Sequence, residues 1–398
     1  MKNKLSRLVE GMTESATLRM AQIARDLVAQ GENIISLSLG EPDFDTPKAI
    51  KEAAYRALND GYTKYSPVPG MQALREAISD KFKRENNIEY SPDEIVVSNG
   101  AKQSIANLCF SLLNPEDEVL LFAPYWVSYK DIVYLTGAKI TLVHAGIEQD
   151  FKVDANTLER HMSEKTKMII YSSPCNPTGS VYSKEDLSAL AKVIRKYPDV
   201  VVVSDEIYEY INFQGEHVSL AQFPGMKEQV VTVNGFSKGF AMTGWRLGYM
   251  GAPKAIAQAC TKIQGQFTSG ASTFSQMAGA YALNESLSAP SEMKETFQHR
   301  RDLIVELLQQ IPGIEANHPQ GAFYIFPNIS HYFGKSYDGQ TIGNSEEFAA
   351  FLLQEAKVAT VAGSAFGNDD CIRISYAASD EDIRTALQQI EKAVQLLQ

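Results

Sequence analysis

Asn234-Gly235-Phe236-Ser237-Lys238-Gly239-Phe240-Ala241-Met242-Thr243-Gly244-Trp245-Arg246-Leu247-Gly248-Tyr249 follows the apolar run Val230-Val231-Thr232-Val233. The run reads as a buried strand, and glycines punctuate what comes after it. Ser237 and Lys238 fall in that turn, and Arg246 lies eight residues beyond Lys238. An amine held beside a hydroxyl and a guanidinium can form a Schiff base with an aldehyde whose phosphate the other two groups hold. The same stretch also reads as a surface lysine in a loop and an arginine in a surface ion pair. For Ser-Lys alone that second reading is the stronger, so other stretches decide.

Phe236-Ser237-Lys238 through Gly244-Trp245-Arg246-Leu247-Gly248 resembles the lysine signature of the fold-type I pyridoxal phosphate (PLP) enzymes, specifically the class I aminotransferases. The resemblance runs along nearly the whole chain. It is nearest to the prokaryotic subgroup of bacterial aspartate aminotransferases.

Composition agrees with a soluble globular enzyme. The 398 residues suffice for two domains, with 44% hydrophobic and 21% charged residues. A net charge of −11 argues against a nucleic-acid surface. Cys109, Cys175, Cys260 and Cys371 are far apart and form no C-x-x-C pair, so neither a zinc site nor a disulfide framework is expected. Reduced thiols fit a cytoplasmic protein. Basic residues at the start have no apolar stretch behind them, and no run of about 18 apolar residues occurs, so neither a signal peptide nor a membrane span is expected.

Helical spacing of Leu18, Ala21, Ala24, Leu27 and Val28 predicts a helix over 18–30, ended by Gly31, with Ser15 and Thr17 at its lip. A short strand is expected at 34–39, and Pro47 opens a helix towards 58. Apolar runs at 95–97, 119–122, 140–143, 168–171, 200–203, 230–233 and 247–250 alternate with helical patterns. The fold class is therefore α/β, with one mostly parallel seven-stranded sheet covered on both faces. Beyond about residue 283 the pattern changes to helix (292–310), strand (322–326), helix (346–357), strand (372–375) and helix (380–397). Ser183 with Asp186, and Ser379 with Asp382, read as capping boxes. The expected division is an N-terminal arm with the first part of a small α+β domain (1–46), a large cofactor domain (47–283) and the rest of the small domain (284–398). The resemblance makes that small domain discontinuous.

Ser98-Asn99-Gly100-Ala101-Lys102 leaves a strand and opens a helix, where free amides favour phosphate. The chain lacks both G-x-x-x-x-G-K-[ST] and G-x-G-x-x-G. Trp126, one of two tryptophans, follows a strand and could stack on a ring or fill the core. Ser173-Pro174-Cys175-Asn176-Pro177-Thr178-Gly179 is a turn fixed by prolines and glycine. Asp205 sits at the carboxyl end of a strand, where open α/β sheets bind ligands, though a helix cap is as good a reading.

The resemblance assigns roles. Lys238 carries the cofactor as a Schiff base and moves the substrate's proton. Asp205 keeps the pyridine nitrogen protonated, and Tyr208 and Asn176 reach its phenolic oxygen. Trp126 stacks on the ring. Gly100, Ala101, Lys102, Ser237 and Arg246 hold the phosphate, and Tyr65 reaches it from the partner of a homodimer. Arg373 clamps the substrate α-carboxylate, helped by Gly40. Ser15, Thr17 and Lys102 match the positions that bind a distal carboxylate. The implied reaction moves an amino group between L-aspartate and 2-oxoglutarate.

No arginine lies between Ala252 and His299, the region from which the enteric and animal-type subgroup draws its distal-carboxylate arginine. Many subgroup members have a lysine where this chain has Thr13-Glu14, a departure that argues against prephenate as a substrate. Alternatives are an alanine, aromatic or kynurenine aminotransferase on the same scaffold, and, outside enzymes, a PLP-sensing regulator domain. The six histidines suggest no metal site.

Overall fold

The computed structural model describes residues 5–286 and 288–398. The seven expected runs form one sheet: β1 (Ile95–Ser98), β2 (Glu118–Ala123), β3 (Lys139–His144), β4 (Thr166–Ser172), β5 (Val201–Asp205), β6 (Val230–Gly235) and β7 (Gly248–Gly251). Their spatial order is β1-β7-β6-β5-β4-β2-β3. Pairs from β3 across to β6 are parallel, and β7 runs antiparallel to both β6 and β1.

Period two sorts the strand side chains onto two faces. Leu120, Ile169, Val202 and Val230 pack into one apolar core, and their neighbours Leu121, Met168, Val203 and Val231 into another. Burial on both faces explains why these strands read as continuous apolar runs rather than alternating ones.

A second body has its own core, including Phe297, Phe323, Ile372 and Leu387. It is built around a three-stranded antiparallel sheet of β8 (Tyr324–Ile325), β9 (Val361–Ala362) and β10 (Ile372–Ser375), with β10 central. Ile35–Ser36 pairs in parallel with Val358–Ala359, so sequence from both sides of the large sheet joins in this smaller α+β body. The fold class thus stands as expected.

Several boundaries differ. The strand expected at 34–39 shrinks to Ile35–Ser36, because its partner offers only two residues. Leu39 and Gly40, just beyond it, line the cleft. The strand at 322–326 shortens to Tyr324–Ile325. The first long helix, α1 (Ala16–Ala29), begins two residues earlier than its apolar spacing suggests, with Ser15 at the N-cap. Ser183 and Asp186 exchange both capping-box bonds, at 3.1 and 3.0 Å. Ser379 accepts from the Asp382 amide at 3.1 Å, but its hydroxyl turns to the Asp382 carboxylate at 2.7 Å, so only half of that box forms.

Candidate active site

The carboxyl ends of β2, β4, β5 and β6 open onto one cleft of about 300 Å³ between the two bodies. The strand ends deliver Trp126, Asn176, Asp205, Ser237 and Lys238 to its wall. From helix α2 (Ala101–Leu112) come Ala101 and Lys102, from the short turn Thr243–Trp245 comes Arg246, and from β10 comes Arg373. Tyr208, Gly40, Ser15 and Thr17 also line it. Of the expected site residues, two do not line it. Gly100 lies directly behind Arg246, and Tyr65 is 98% exposed, outside its own chain's cleft.

Arg246 leaves its turn in the left-handed region at φ +54°. Its guanidinium donates to the carbonyls of Thr243 (2.8 Å) and Asn99 (3.3 Å), which lays it across the start of α2. A side chain at Gly100 would put Cβ 2.5 Å from Nη2 of Arg246, and one at Gly248 would meet the Ala101 amide at 2.3 Å. Glycine at both positions lets guanidinium, strand and helix N-terminus close on one spot. First-turn amides have no intrahelical acceptor, so this corner combines free N–H groups, a helix dipole, a guanidinium and the nearby Ser237 hydroxyl. That donor set fits a phosphate dianion.

Lys238 is half-buried in the cleft wall. Burial pulls its ammonium down to about 8 against the support of Glu41, and the charges of Arg373 and Arg246 add to the depression. Its Nζ donates to the Gly40 carbonyl. Asp205 is 4% exposed. Burial raises its carboxyl to about 6, opposed by a 2.6 Å bond from the Tyr129 hydroxyl and a 3.2 Å bond from the Ile207 amide. The cleft therefore holds a lysine and a carboxyl whose proton affinities have moved towards each other and towards neutrality, as acid–base chemistry requires.

Arg373 is 1% exposed. It donates to Asn176 Oδ1 at 3.0 Å and to the Ser38 carbonyl, and lies 4.6 Å from the Tyr324 ring centroid and 5.0 Å from that of Phe366. Its Nε is buried without a partner among the described residues. The Thr17 hydroxyl is likewise buried and unpartnered. Lys102 stands 4.9 Å over the Trp126 ring, its ammonium destabilised by burial and by Arg246. Unspent donors on both arginine and threonine suit an anionic ligand.

Tyr129 and Tyr324 were not expected. Tyr129 lies three residues beyond Trp126, in the helix Ser128–Tyr134 that follows it, and this nearness in the chain is the available signal. Tyr324, in β8, carries no such signal. Glu206, Glu209 and His217 also place ligand-type atoms within 4.8 Å of one another behind Asp205. The fully buried Lys81 pairs with Glu209 there and donates to Asn86 at 2.7 Å, so the cluster already contains a cation.

A family model described as "Aminotransferase class I and II" matches residues 32–390. This chain belongs to that family. Among class I and II aminotransferases, it is 46% identical over 98% of its length to a "Bifunctional aspartate aminotransferase and glutamate/aspartate-prephenate aminotransferase" of Petunia hybrida, covering 82% of that protein. It is 47% identical to a "Probable aspartate/prephenate aminotransferase" of Rickettsia felis, covering 98% of this chain and 96% of that one. Among solved structures, the aspartate aminotransferase from Rhizobium meliloti superposes with a TM-score of 0.96 at 40% identity, covering 99% of this chain and all of that one. The Thermus thermophilus aspartate aminotransferase with maleate gives 0.93 at 39% identity, covering 98% and 100%. The class I and II aminotransferase fold thus accounts for the sheet order and for the lysine turn with which the sequence reading began. No helix among the described residues is long and apolar enough to cross a membrane.

Proposed function

We propose that the protein transfers an amino group between L-aspartate and 2-oxoglutarate, with pyridoxal phosphate held in the cleft. The observation that carries this reading is convergence: Lys238 and Arg246 from one loop, Asp205 from the end of β5 and Arg373 from β10 line one cavity. Bound there, the cofactor supplies an electron sink that acidifies the α-hydrogen of an attached amino acid.

The chain's own groups do the rest. The first-turn amides of α2, Ser237 and Arg246 hold the phosphate. Asp205 meets the pyridine nitrogen with a negative charge, and Tyr208 with the Asn176 amide donates to the phenolic oxygen. Trp126 covers the ring. Arg373 binds the α-carboxylate, for which its unpartnered Nε is in reserve. Lys238, with a depressed proton affinity, would hold and move the proton that leaves Cα.

Thr17, with its unpartnered hydroxyl, Ser15 and Lys102 bind the distal carboxylate. Support comes from relatives named for aspartate and from the Thermus thermophilus aspartate aminotransferase, solved with the dicarboxylate maleate. Relatives named for prephenate favour a second acceptor. Within the Thr13-Glu14 pair that stands where many subgroup members carry a lysine, Thr13 donates its hydroxyl to Asp131 at 3.3 Å. Prephenate therefore stands as a second arm of the test rather than the first reading.

We also propose a homodimer in the cytoplasm, with Tyr65 reaching the partner's phosphate. Its 98% exposure and the neighbouring exposed Tyr55, Leu58 and Tyr62 support that role. Domain boundaries at 46/47 and 283/284 are supported by Leu37 and Met293 packing in the smaller core while Ile50 and Leu283 pack in the larger.

The test is a panel of amino donors against 2-oxoglutarate, with prephenate as a second acceptor, run beside borohydride reduction of the loaded protein. Aspartate should be the best donor, and the reduced adduct should map to Lys238. An alanine or aromatic donor exceeding aspartate would overturn the substrate, and an adduct absent from Lys238 would overturn the mechanism.

A further inference from the structure

Tyr324 belongs to β8, in the smaller body, yet it meets four parts of the cleft that come from elsewhere. Its hydroxyl is 2.8 Å from the Tyr208 hydroxyl. Its ring lies under the Arg373 guanidinium, 4.6 Å from centroid to Cζ. A Cβ at Gly40 would fall 2.3 Å from its hydroxyl oxygen, and one at Gly179 would fall 2.8 Å from its main-chain carbonyl. Glycine at 40 and at 179 is thus what allows Tyr324 to close against both the Gly40 turn and the turn that carries Asn176. The residue is 1% exposed, and Tyr208 is 3% exposed.

We propose that Tyr324 is a positioning residue that joins the Tyr208 hydroxyl to the Arg373 guanidinium, so that one side chain sets the phenolic end and the carboxylate end of the site together. This rests on the PLP reading above.

The direction of the tyrosine–tyrosine bond follows from counting protons. Each phenol has one hydrogen to give. Among the described residues neither hydroxyl has another hydrogen-bond partner, so in the empty cleft either can donate to the other. Once Tyr208 gives its hydrogen to the phenolic oxygen of the cofactor, only Tyr324 has a hydrogen left for the bond between them, and Tyr208 becomes the acceptor. A phenol that accepts one hydrogen bond becomes the better donor of its own, most of all where water is excluded. The guanidinium end works through a different property. A cation buried at Arg373 is costly unless its faces are covered, and the Tyr324 ring covers one of them while Phe366 covers another.

Two substitutions separate the two functions. Tyr324→Phe removes the hydroxyl and keeps the ring, and Tyr324→Leu removes both. Three measurements are made on each protein. The first is the affinity of the cofactor-free form for PLP. The second is the pH midpoint of the visible band of the loaded form. The third is maleate binding by calorimetry.

With a weaker Tyr208 donor at the phenolic oxygen, the nearby nitrogen keeps its proton to higher pH. Tyr324→Phe should therefore raise the band midpoint by roughly half to one pH unit, while maleate affinity stays within about twofold. Tyr324→Leu should show the same midpoint and, in addition, lose roughly tenfold in maleate affinity. PLP affinity of the cofactor-free proteins should change by less than about threefold, because the phosphate contacts are untouched.

An unshifted midpoint in Tyr324→Phe overturns the link to Tyr208. Unchanged maleate affinity in Tyr324→Leu overturns the link to Arg373. If wild-type protein takes up PLP with no band at all, the functional reading itself fails, and that result is separable from either of the first two.

Discussion

The Tyr129 hydroxyl donates to Oδ2 of Asp205 over 2.6 Å, with both side chains closed off from water and 76 positions apart in the chain. Burial makes the carboxylate hard to keep ionised, and this bond works against that cost. Tyr129→Phe should raise the Asp205 proton affinity above its value of about 6. The acidic limb of the kcat/KM profile should then move towards neutral pH. Activity at pH 7 should fall severalfold and recover by pH 9. An equal loss at both pH values would mean the hydroxyl supports packing alone.

Asp205 also costs the cofactor-free protein stability, and the sign can be worked out. Its folded proton affinity is raised from 3.8 to about 6, so the folded state disfavours the charged form. The penalty is absent below the unfolded pKa near 4, grows between about 4 and 6, and is fully present above that. Asp205→Asn should therefore stabilise the cofactor-free protein at pH 7 by on the order of 2–3 kcal/mol, and hardly at pH 4. The loaded variant should lose most transamination. Urea unfolding at the two pH values decides the first part. Equal effects at both would place the gain elsewhere.

On the function proposed above, specificity for a second carboxylate would rest on Thr17, Ser15 and Lys102, which line the cleft. An unpaired charge in a closing cleft is expensive, and an ammonium with hydroxyls can satisfy it. Lys102→Ser with Thr17→Val should lower kcat/KM for aspartate by roughly 10- to 100-fold, or about 1.4–2.7 kcal/mol. Phenylalanine should hardly change. Parallel losses on both substrates would assign these residues to the cofactor or the fold instead.

Tyr65 leaves its own chain almost entirely, so its proposed contact is with a second copy. Tyr65→Phe and Lys238→Ala subunits, unfolded together and reassociated, should form heterodimers with one doubly altered and one intact site. Activity should exceed the average of the two parents. A mixture that gives only the average removes Tyr65 from the partner's site.

Much of this architecture is legible in the residues because strands buried on both faces advertise themselves as apolar runs, and turns advertise themselves through glycine and proline. The residues carrying the lysine turn, the Asn176 turn and the strand end at Asp205 sit on such local signals. Tyr129 as Asp205's donor, and Tyr324 as the link between Tyr208 and Arg373, do not. Each depends on a contact between segments 76 or 116 positions apart, which no local period records. The strand at 34–39 was overextended for a related reason: its length is set by the two residues of Val358–Ala359, not by its own apolar content.

The reversal of β7 has a mechanical result. Because that strand runs opposite to β6, the segment 236–247 leaves and re-enters the sheet at the same end of the strands, pinned where Gly235 pairs with Gly248 and the Phe236 amide meets the Leu247 carbonyl at 3.3 Å. Lys238 and Arg246 ride on this one closed loop. Its closure entropy is lost once, when the sheet forms, and not again when a ligand arrives. The amine and the guanidinium therefore wait at a fixed spacing, and an insertion anywhere between them would be felt as weaker capture of the cofactor before it was felt as a loss of fold.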